Sequence, residues 1–227
     1  MTTKSLGFFK RNRRLVPQNN SVVKINLGCG LAVTQGWLNV DGSLNALIAS
    51  WPHFIHRIIY YLSGARQYYT CEEYCRLLRE NEFVHHDLSY GIPFIDDSVD
   101  FVYSSHFLEH LHREEALYLL NESYRVLKPG GTVRICVPDL AYAIRLYSEG
   151  EKEKMLNSYF FVEPNGSHYA RHKYMYDFQI MKQTLVEAGF ENIVRCKYQQ
   201  GLTPNLDKLD NRPEETLFVE AKKISNK

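Results

Sequence analysis

The alternation of short apolar segments with helical patterns constrains the fold of this chain more than any other feature of its sequence. Residues 22–27, 37–40, 82–86, 99–103 and 132–137 each have the length and apolar composition of a buried strand. Helical patterns lie between several of these segments. Strands that alternate with helices predict a mostly parallel sheet with helices on both of its faces.

The second half of the chain supplies the remaining elements. Apolar side chains at helical spacing predict helices over residues 113–127 and 177–188, and a further helix from Leu140. Residues 193–198 and 216–221 are predicted to be two closing strands, and an antiparallel arrangement of them is one option. The sequence therefore predicts a doubly wound α/β fold with a seven-stranded, mostly parallel sheet.

No repeat and no composition break divides the chain, so we expect one domain over residues 21–227. A basic arm, residues 1–20, precedes it. Within the domain, residues 44–80 form a predicted helical insertion with a break near Ser63-Gly64. Residues 150–176 form a second, aromatic-rich segment between the fifth strand and the last helix.

The charge distribution excludes one class of partner. The 227 residues include 27 Lys or Arg and 26 Asp or Glu, which gives a formal net charge of +1. Five of the basic residues and none of the acidic ones lie in residues 1–20, so the arm carries +5 and the remainder −4. A nucleic-acid partner bound through bulk positive charge is therefore not expected. The arm is a candidate for contact with an anionic surface.

Five widely spaced cysteines are typical of a reducing compartment, and no signal peptide or spanning segment is visible. We therefore expect a soluble, cytoplasmic protein. Cys71 and Cys75 lie on one helical face near His85 and His86, but a four-residue step is unusual for a pair of zinc-binding cysteines. The sequence interpretation therefore assigns no metal site.

The residues that follow the strands suit a nucleoside-like ligand. In open α/β sheets, ligands bind at the carboxyl ends of the strands, near the point where the strand order reverses. Glycines let the backbone approach a ligand closely, and carboxylates accept hydrogen bonds from ribose hydroxyls or an adenine amino group. The four groups at the strand ends are Gly28-Cys29-Gly30, Asp41-Gly42, Asp87-Leu88 and Ser104-Ser105-His106.

The glycine turn does not match the dinucleotide-binding fingerprint. Val33 stands where that motif has its third glycine, and only six residues separate Gly30 from Trp37. A parallel crossover with a helix usually needs a dozen residues. The first helix is therefore expected to be vestigial, which disfavours NAD and FAD and leaves a dehydrogenase as the weakest of the alternatives.

The ordered motifs of residues 22–137 resemble those of the class I S-adenosylmethionine-dependent methyltransferases. Among class I members, the short crossover resembles a bacterial subgroup often associated with genes of surface-polysaccharide and glycan biosynthesis. The segments that carry the resemblance are residues 24–30, Asp41, residues 86–88, residues 92–101, residues 106–111 and residues 122–131.

This resemblance implies a role for each group at the strand ends. The methionine part of S-adenosyl-L-methionine would lie over Gly28, Cys29 and Gly30. The ribose would bind Asp41 beside Gly42, the adenine would bind Asp87 and Leu88, and residues from Ser104 and Ser105 to His106 would flank the sulfonium. The chain departs from the family at Asn26, where an acidic residue is frequent. Each of these residues also has an alternative role in turns, caps or packing.

The resemblance implies methyl transfer, and we expect an O-methyltransferase that acts on a hydroxyl of a small molecule or glycan. Either His106 or His172 is a candidate general base, because histidine titrates near neutral pH. His172 lies among the aromatic residues of 159–176, which either stack on the acceptor or pack the segment onto the sheet. Glu109 and His110 are expected to fix the start of the following helix.

Two questions remain open at this level. The insertion at 44–80 is a candidate lid, homodimer face or peripheral membrane-contact surface, as well as an ordinary packed helix. An alternative to the enzyme is a methyltransferase-like protein that binds the cofactor without turnover and acts as a scaffold or regulator. Asn26 and the short crossover are compatible with that alternative.

Overall fold

The computed structural model describes residues 14–17, 22–160 and 171–224. The basic arm at 1–20 therefore lies largely outside the described residues. Its described part is attached to the domain, because the Leu15 N–H donates to the Pro93 carbonyl at 2.8 Å.

The strands are β1 (Lys24–Leu27), β2 (Leu38–Asp41), β3 (Glu82–His85), β4 (Val99–Ser105), β5 (Leu127–Pro138), β6 (Glu191–Cys196) and β7 (Thr216–Lys222). The α-helices are α1 (Leu44–Ile48), α2 (His53–Leu62), α3 (Cys71–Glu80), α4 (Arg113–Val126), α5 (Leu140–Ser148), α6 (Lys152–Tyr159), α7 (Phe178–Glu187) and α8 (Leu206–Leu209).

The strands form one seven-stranded sheet in the order β3-β2-β1-β4-β5-β7-β6. Strands β1 to β5 pair in parallel, and β7 is antiparallel to both of its neighbours. The predicted doubly wound, mostly parallel α/β sheet is confirmed. The order reverses between β1 and β4, which are neighbours in the sheet although two strands separate them in the sequence.

Helices and loops cover the sheet on both faces. On one face, the apolar sides of α4 and α7 pack against β1, β4, β5 and β7 through residues such as Leu119, Leu120 and Met181. On the other face, a smaller cluster surrounds Trp37 and Tyr103 and includes residues of α8. The alternation of side chains along β4 and β7 supplies both clusters from the same strands.

The insertion at 44–80 is more broken than the sequence predicts. The predicted break at Ser63-Gly64 is present, and a second one separates α1 from α2 at residues 49–52. Pro52 precedes α2, where its missing N–H costs no intrahelical hydrogen bond. The third helix, α3, begins after Thr70, whose backbone and hydroxyl both pair with Glu73.

Strand β5 starts five residues earlier than the prediction. The segment Pro129-Gly130-Gly131 follows α4 as expected, but it already belongs to the strand. Gly130 has a φ of +84°, and its N–H donates to the Lys223 carbonyl at 2.8 Å. Contacts with the far end of β7 thus extend the pairing beyond the apolar residues on which the prediction rests.

A buried ionic network joins β5 and β7 to the loop that follows α8. Arg134 is fully buried, and its guanidinium donates to Asp210 through Nε and Nη2 and to Glu220 through Nη1. Asp210 also accepts the Gln199 N–H at 2.8 Å. A buried charge is tolerated only when its partners neutralise it and satisfy its hydrogen bonds. This network therefore fixes residues 197–210, which include α8, against the sheet.

We predict that Asp210→Asn lowers the free energy of unfolding by about 3 kcal/mol, because the buried guanidinium loses a charged partner. Urea denaturation measures the change. Glu187→Gln is the matched control, since Glu187 pairs with Arg113 at the surface at 2.6 Å, and exposed pairs contribute about 1 kcal/mol or less. Equal effects of the two substitutions would contradict this interpretation.

Candidate active site

The carboxyl ends of β1 and β4 meet at the predicted glycine turn. Gly28 and Gly30 have φ values of +63° and +52°, and the Gly28 N–H donates to the Val40 carbonyl at 2.9 Å. Residues 28–37 contain no helix, so the predicted short crossover is confirmed. A Cβ added at Gly30 would meet no atom within 4 Å, which leaves open space above the turn.

Asp41 holds the glycine turn from the end of the neighbouring strand. Its Oδ2 accepts the Gly30 N–H at 2.9 Å and its Oδ1 accepts the Ser43 N–H at 2.7 Å. Gly42 lies against the end of β3, because a Cβ there would be 3.5 Å from the His86 carbonyl oxygen. The carboxylate is thereby fixed at the crevice edge, with lone pairs left for a ligand.

The hydrogen bonds of Asn26 explain why an amide, and not a carboxylate, stands at this position of β1. The side chain is buried, and its Nδ2 donates to the Ala32 carbonyl at 2.9 Å and to Asn39 Oδ1 at 3.2 Å. A carboxylate has no N–H to donate to a carbonyl. Asn26 thus secures the short crossover loop, which in this chain has no helix to hold it.

The other predicted cofactor residues differ in what they offer. Asp87 Oδ1 accepts from the Ser89 N–H and hydroxyl, and Leu88 is buried behind it. Burial and the neighbouring Asp41 raise the pKa of the Cys29 thiol, which keeps it neutral.

The two serines at the end of β4 present little to the crevice. The Ser104 hydroxyl donates to the Leu27 carbonyl at 3.3 Å inside the sheet, and the Ser105 hydroxyl oxygen is buried.

The segment after β4 packs directly on the glycine turn. The Phe107 ring covers Gly28 so closely that a Cβ on Gly28 would lie 2.2 Å from Cγ of the ring. His106 has a φ of +50°, and its N–H donates to the Cys136 carbonyl at 2.8 Å. Its Nε2 lies 3.1 Å from Thr216 Oγ1. Phe107 thus joins the glycine turn to the predicted base.

The structure brings His106 and His172 to the same side chain, Glu109. His106 Nδ1 lies 3.4 Å from Glu109 Oε1, and His110 Nε2 lies 3.8 Å from the same oxygen. The ring centroids of His110 and His172 are 5.2 Å apart. Burial lowers the pKa of His172, and the neighbouring histidines add to that effect while Glu109 opposes it.

Glu109 and His110, which the sequence predicts at the start of the next helix, have a different place in the structure. Helix α4 is capped locally, because Glu115 accepts the His112 N–H at 2.8 Å. The Glu109 side chain instead turns inward and is 1% exposed. The sequence signal for this inward carboxylate is the spacing of His106, Glu109 and His110 within an otherwise apolar segment.

The aromatic residues near His172 are divided between packing and the surface. Tyr159 and Tyr176 are buried, so they pack the segment onto the domain, while Tyr174 is half-buried. His168 and Tyr169 lie outside the described residues. An open pocket beyond Thr216 adds polar and aromatic walls between α5 and strands β6 and β7, and they include Tyr142, Arg145, Arg195 and Tyr198.

Residues 25–135 match the family model described as a methyltransferase domain. Among solved structures, the methyltransferase SibL superposes with a TM-score of 0.54 at 20% identity, over 91% of this chain and 51% of its own. A methyltransferase from Archaeoglobus fulgidus gives 0.51 at 17% identity, over 98% and 95%. One from Thermotoga maritima gives 0.51 at 14%, over 91% and 84%. This chain thus spans about half the length of SibL. None of the curated proteins matches it.

The sheet order and the domain match together define a Rossmann-like methyltransferase. The domain match at residues 25–135 and the structural neighbours support a class I S-adenosylmethionine-dependent methyltransferase with S-adenosyl-L-methionine as its cofactor.

The residues at the strand ends fit this cofactor. The open space above Gly30 admits a ligand against the backbone, and Asp41 and Asp87 present carboxylates at the ends of β2 and β3. A hydroxylated ribose and an amino-bearing adenine both donate hydrogen bonds, which is what carboxylates accept. The short crossover offers no helix N-terminus that could bind a pyrophosphate. S-adenosyl-L-methionine contains no pyrophosphate, so it does not need one.

Proposed function

We propose that this methyltransferase methylates a hydroxyl of a small polar molecule or a glycan, with His106 as the group that accepts the hydroxyl proton. The observation that carries the proposal is the buried Glu109 carboxylate beside His106, with Glu109 Oε1 3.4 Å from His106 Nδ1. A carboxylate behind an imidazole orients the ring and stabilises it once it is protonated.

The proposed cofactor contacts follow the strand ends. Gly28, Cys29 and Gly30 hold the methionine part through the backbone, and Asp41 beside Gly42 accepts from the ribose hydroxyls. Asp87 and Leu88 hold the adenine, one by hydrogen bonding and the other by apolar contact. The Ser104 and Ser105 backbone, rather than the buried hydroxyls, completes the wall at the end of β4.

When bound, the cofactor supplies an electrophilic methyl group on a sulfonium. The chain's part is to position the acceptor oxygen in line with that methyl group and to exclude water. His106 Nε2 now faces the Thr216 hydroxyl at 3.1 Å. An acceptor hydroxyl that replaces the Thr216 hydroxyl as the partner of Nε2 donates its proton to this nitrogen. Glu109 meanwhile keeps the hydrogen of the ring on Nδ1.

His172 is assigned a positioning role rather than that of the base. Its Nδ1 lies 2.8 Å from the Tyr159 carbonyl, to which only an N–H can donate. A ring nitrogen of His172 also lies in the group around Glu109. Of the two predicted bases, His106 therefore has the better access to an acceptor.

The pocket beyond Thr216 supports a polar, hydroxylated acceptor. Tyr142 and Tyr198 give faces on which a sugar ring can stack, and Arg195 lines the same pocket. We therefore extend the proposal to sugar acceptors of cytoplasmic polysaccharide biosynthesis. Transfer to an amine or carbon acceptor is the alternative outcome of an acceptor screen.

We predict that Asp41→Asn weakens binding of S-adenosylhomocysteine about 10- to 100-fold, because a hydrogen bond to a charged group contributes about 1.5–3 kcal/mol. Isothermal calorimetry measures the Kd. Asp97→Asn is the control, since Asp97 lies in the turn before β4, at the opposite edge of the sheet. Unchanged affinity in Asp41→Asn would refute the proposed ribose contact.

We predict that His106→Gln lowers kcat about 10²- to 10⁴-fold on the hydroxyl acceptor, because general-base catalysis contributes that much. A panel of sugars, phenols and amines with methyl-labelled cofactor identifies the acceptor, and S-adenosylhomocysteine affinity should stay within about threefold of wild type. His112→Gln, an exposed histidine on the same segment, should retain activity. Methylation of amines alone, or wild-type kcat in His106→Gln, contradicts the proposal.

We further propose that helix α2 lies against an anionic lipid surface. Phe54, Ile58, Tyr61 and Leu62 are exposed on this helix. Residues 42–71 contain two arginines and no Asp or Glu, so electrostatic attraction and apolar insertion favour the same surface. None of the helices among the described residues is long and apolar enough to cross a bilayer.

Flotation with vesicles that contain phosphatidylglycerol tests this surface. The double variant Phe54→Glu/Leu62→Glu should bind vesicles at least about tenfold more weakly, because each inserted apolar side chain contributes about 1.5–3 kcal/mol. Val186→Glu, an exposed position on α7, is the control. A dimer in size-exclusion chromatography that the double variant dissociates, with no vesicle binding, would instead assign α2 to a homodimer interface.

A further inference from the structure

Three side chains from two distant segments converge beside His106. Glu109 and His110 follow β4, whereas His172 comes 62 residues later, before α7. One ligand atom from each of the three lies within 4.8 Å of the other two. The two segments are joined at this point, because the Glu109 carbonyl accepts the Lys173 N–H at 2.7 Å.

The Glu109 carboxylate is buried without compensation. Among the described residues, neither of its oxygens has a hydrogen-bond partner, although the residue is 1% exposed. His106 Nδ1 at 3.4 Å and His110 Nε2 at 3.8 Å are near it but outside good hydrogen-bond geometry. Burial of an unpaired carboxylate is unfavourable, so such a group favours a nearby cation.

Backbone carbonyls orient both histidines of the cluster. His110 Nδ1 lies 3.1 Å from the Arg171 carbonyl, and His172 Nδ1 lies 2.8 Å from the Tyr159 carbonyl. Since a carbonyl only accepts, each Nδ1 carries its hydrogen, and in the neutral ring each Nε2 presents a lone pair. Metal-binding histidines are held in this way, with one ring nitrogen bound to a carbonyl or carboxylate and the other free for the ion.

A buried carboxylate beside two imidazole rings is favourable only with a cation among them. A metal ion bound by all three side chains would be that cation. Two histidines and one carboxylate form the ligand set of many zinc sites and of non-haem iron sites, both of which keep coordination positions open.

We propose that Glu109, His110 and His172 bind one divalent first-row transition-metal ion of the Zn²⁺, Fe²⁺, Mn²⁺ or Co²⁺ class. Two nitrogen ligands favour these ions over Mg²⁺ and Ca²⁺, which prefer oxygen. Ligand atoms about 2 Å from a shared ion lie about 3–4 Å apart, so small side-chain rotations close the site from its present spacing.

The open coordination position gives this site a role that rests on the proposed O-methylation. An acceptor hydroxyl bound to the ion through its oxygen loses its proton more easily, as zinc-bound water does. That proton passes to Nε2 of His106, the ring nitrogen that carries no hydrogen when Nδ1 donates to Glu109. A carboxylate has about four lone-pair sites, so Glu109 can hold the ion and the His106 Nδ1–H together.

Cobalt titration of the full chain tests the site without a methyl acceptor. After chelator treatment and dialysis, the wild type should bind one Co²⁺ per chain, with visible d–d absorption bands that Zn²⁺ displaces. His110→Ala, His172→Ala and Glu109→Gln should each weaken the Co²⁺ Kd at least about tenfold. His53→Ala removes an exposed histidine on α2 and should not change it.

The fold and the cofactor site are checked on the same samples. Circular dichroism and the S-adenosylhomocysteine Kd should remain near wild type in His110→Ala, because this side chain is partly exposed. Absence of Co²⁺ binding by a wild type that still binds S-adenosylhomocysteine overturns the metal site alone. A Co²⁺ affinity equal to that of the wild type in all three variants also overturns it, whereas failure to bind S-adenosylhomocysteine contradicts the cofactor assignment instead.

Discussion

The parallel pairing of β1 with β4 is the constraint on which the rest of the ligand-binding edge depends. Leu27 lies opposite Ser104 in this pairing, so the turns that follow both strands emerge side by side. Strands β2 and β3 follow on one side of β1, and strands β5, β7 and β6 follow on the other side of β4. The loops diverge at this junction, and the divergence opens the crevice in which the proposed cofactor residues lie.

The contact of Phe107 with Gly28 joins that crevice to the segment that contains His106 and Glu109. The ring occupies the volume that any larger residue at Gly28 would fill, so the glycine turn and the segment His106–His110 are packed as one unit. This packing places an imidazole and a buried carboxylate next to the cofactor turn. Methyl transfer to an oxygen needs little more from the protein than positioning and a path for one proton.

Local patterns predict the sheet and the proposed cofactor residues at its edge, because strands, turns and strand-end carboxylates leave their signals in a few adjacent residues. Local spacing does not reveal that His172 meets Glu109 and His110, since it lies 62 residues further along and reaches them only in the folded chain. The same reason hid the network of Arg134, Asp210 and Glu220. Asn26 was noticed as a departure, but its bond to Ala32 depends on the path of the crossover loop.

In our proposal the cofactor presents its methyl group at the end of β4, beside His106 and Glu109. A crystal structure of the full chain with S-adenosylhomocysteine is the decisive experiment. We expect the ribose on Asp41, the adenine beside Asp87 and the sulfur atom facing His106. A sulfur atom turned away from His106, or a ligand bound elsewhere than over Gly28–Gly30, would contradict it.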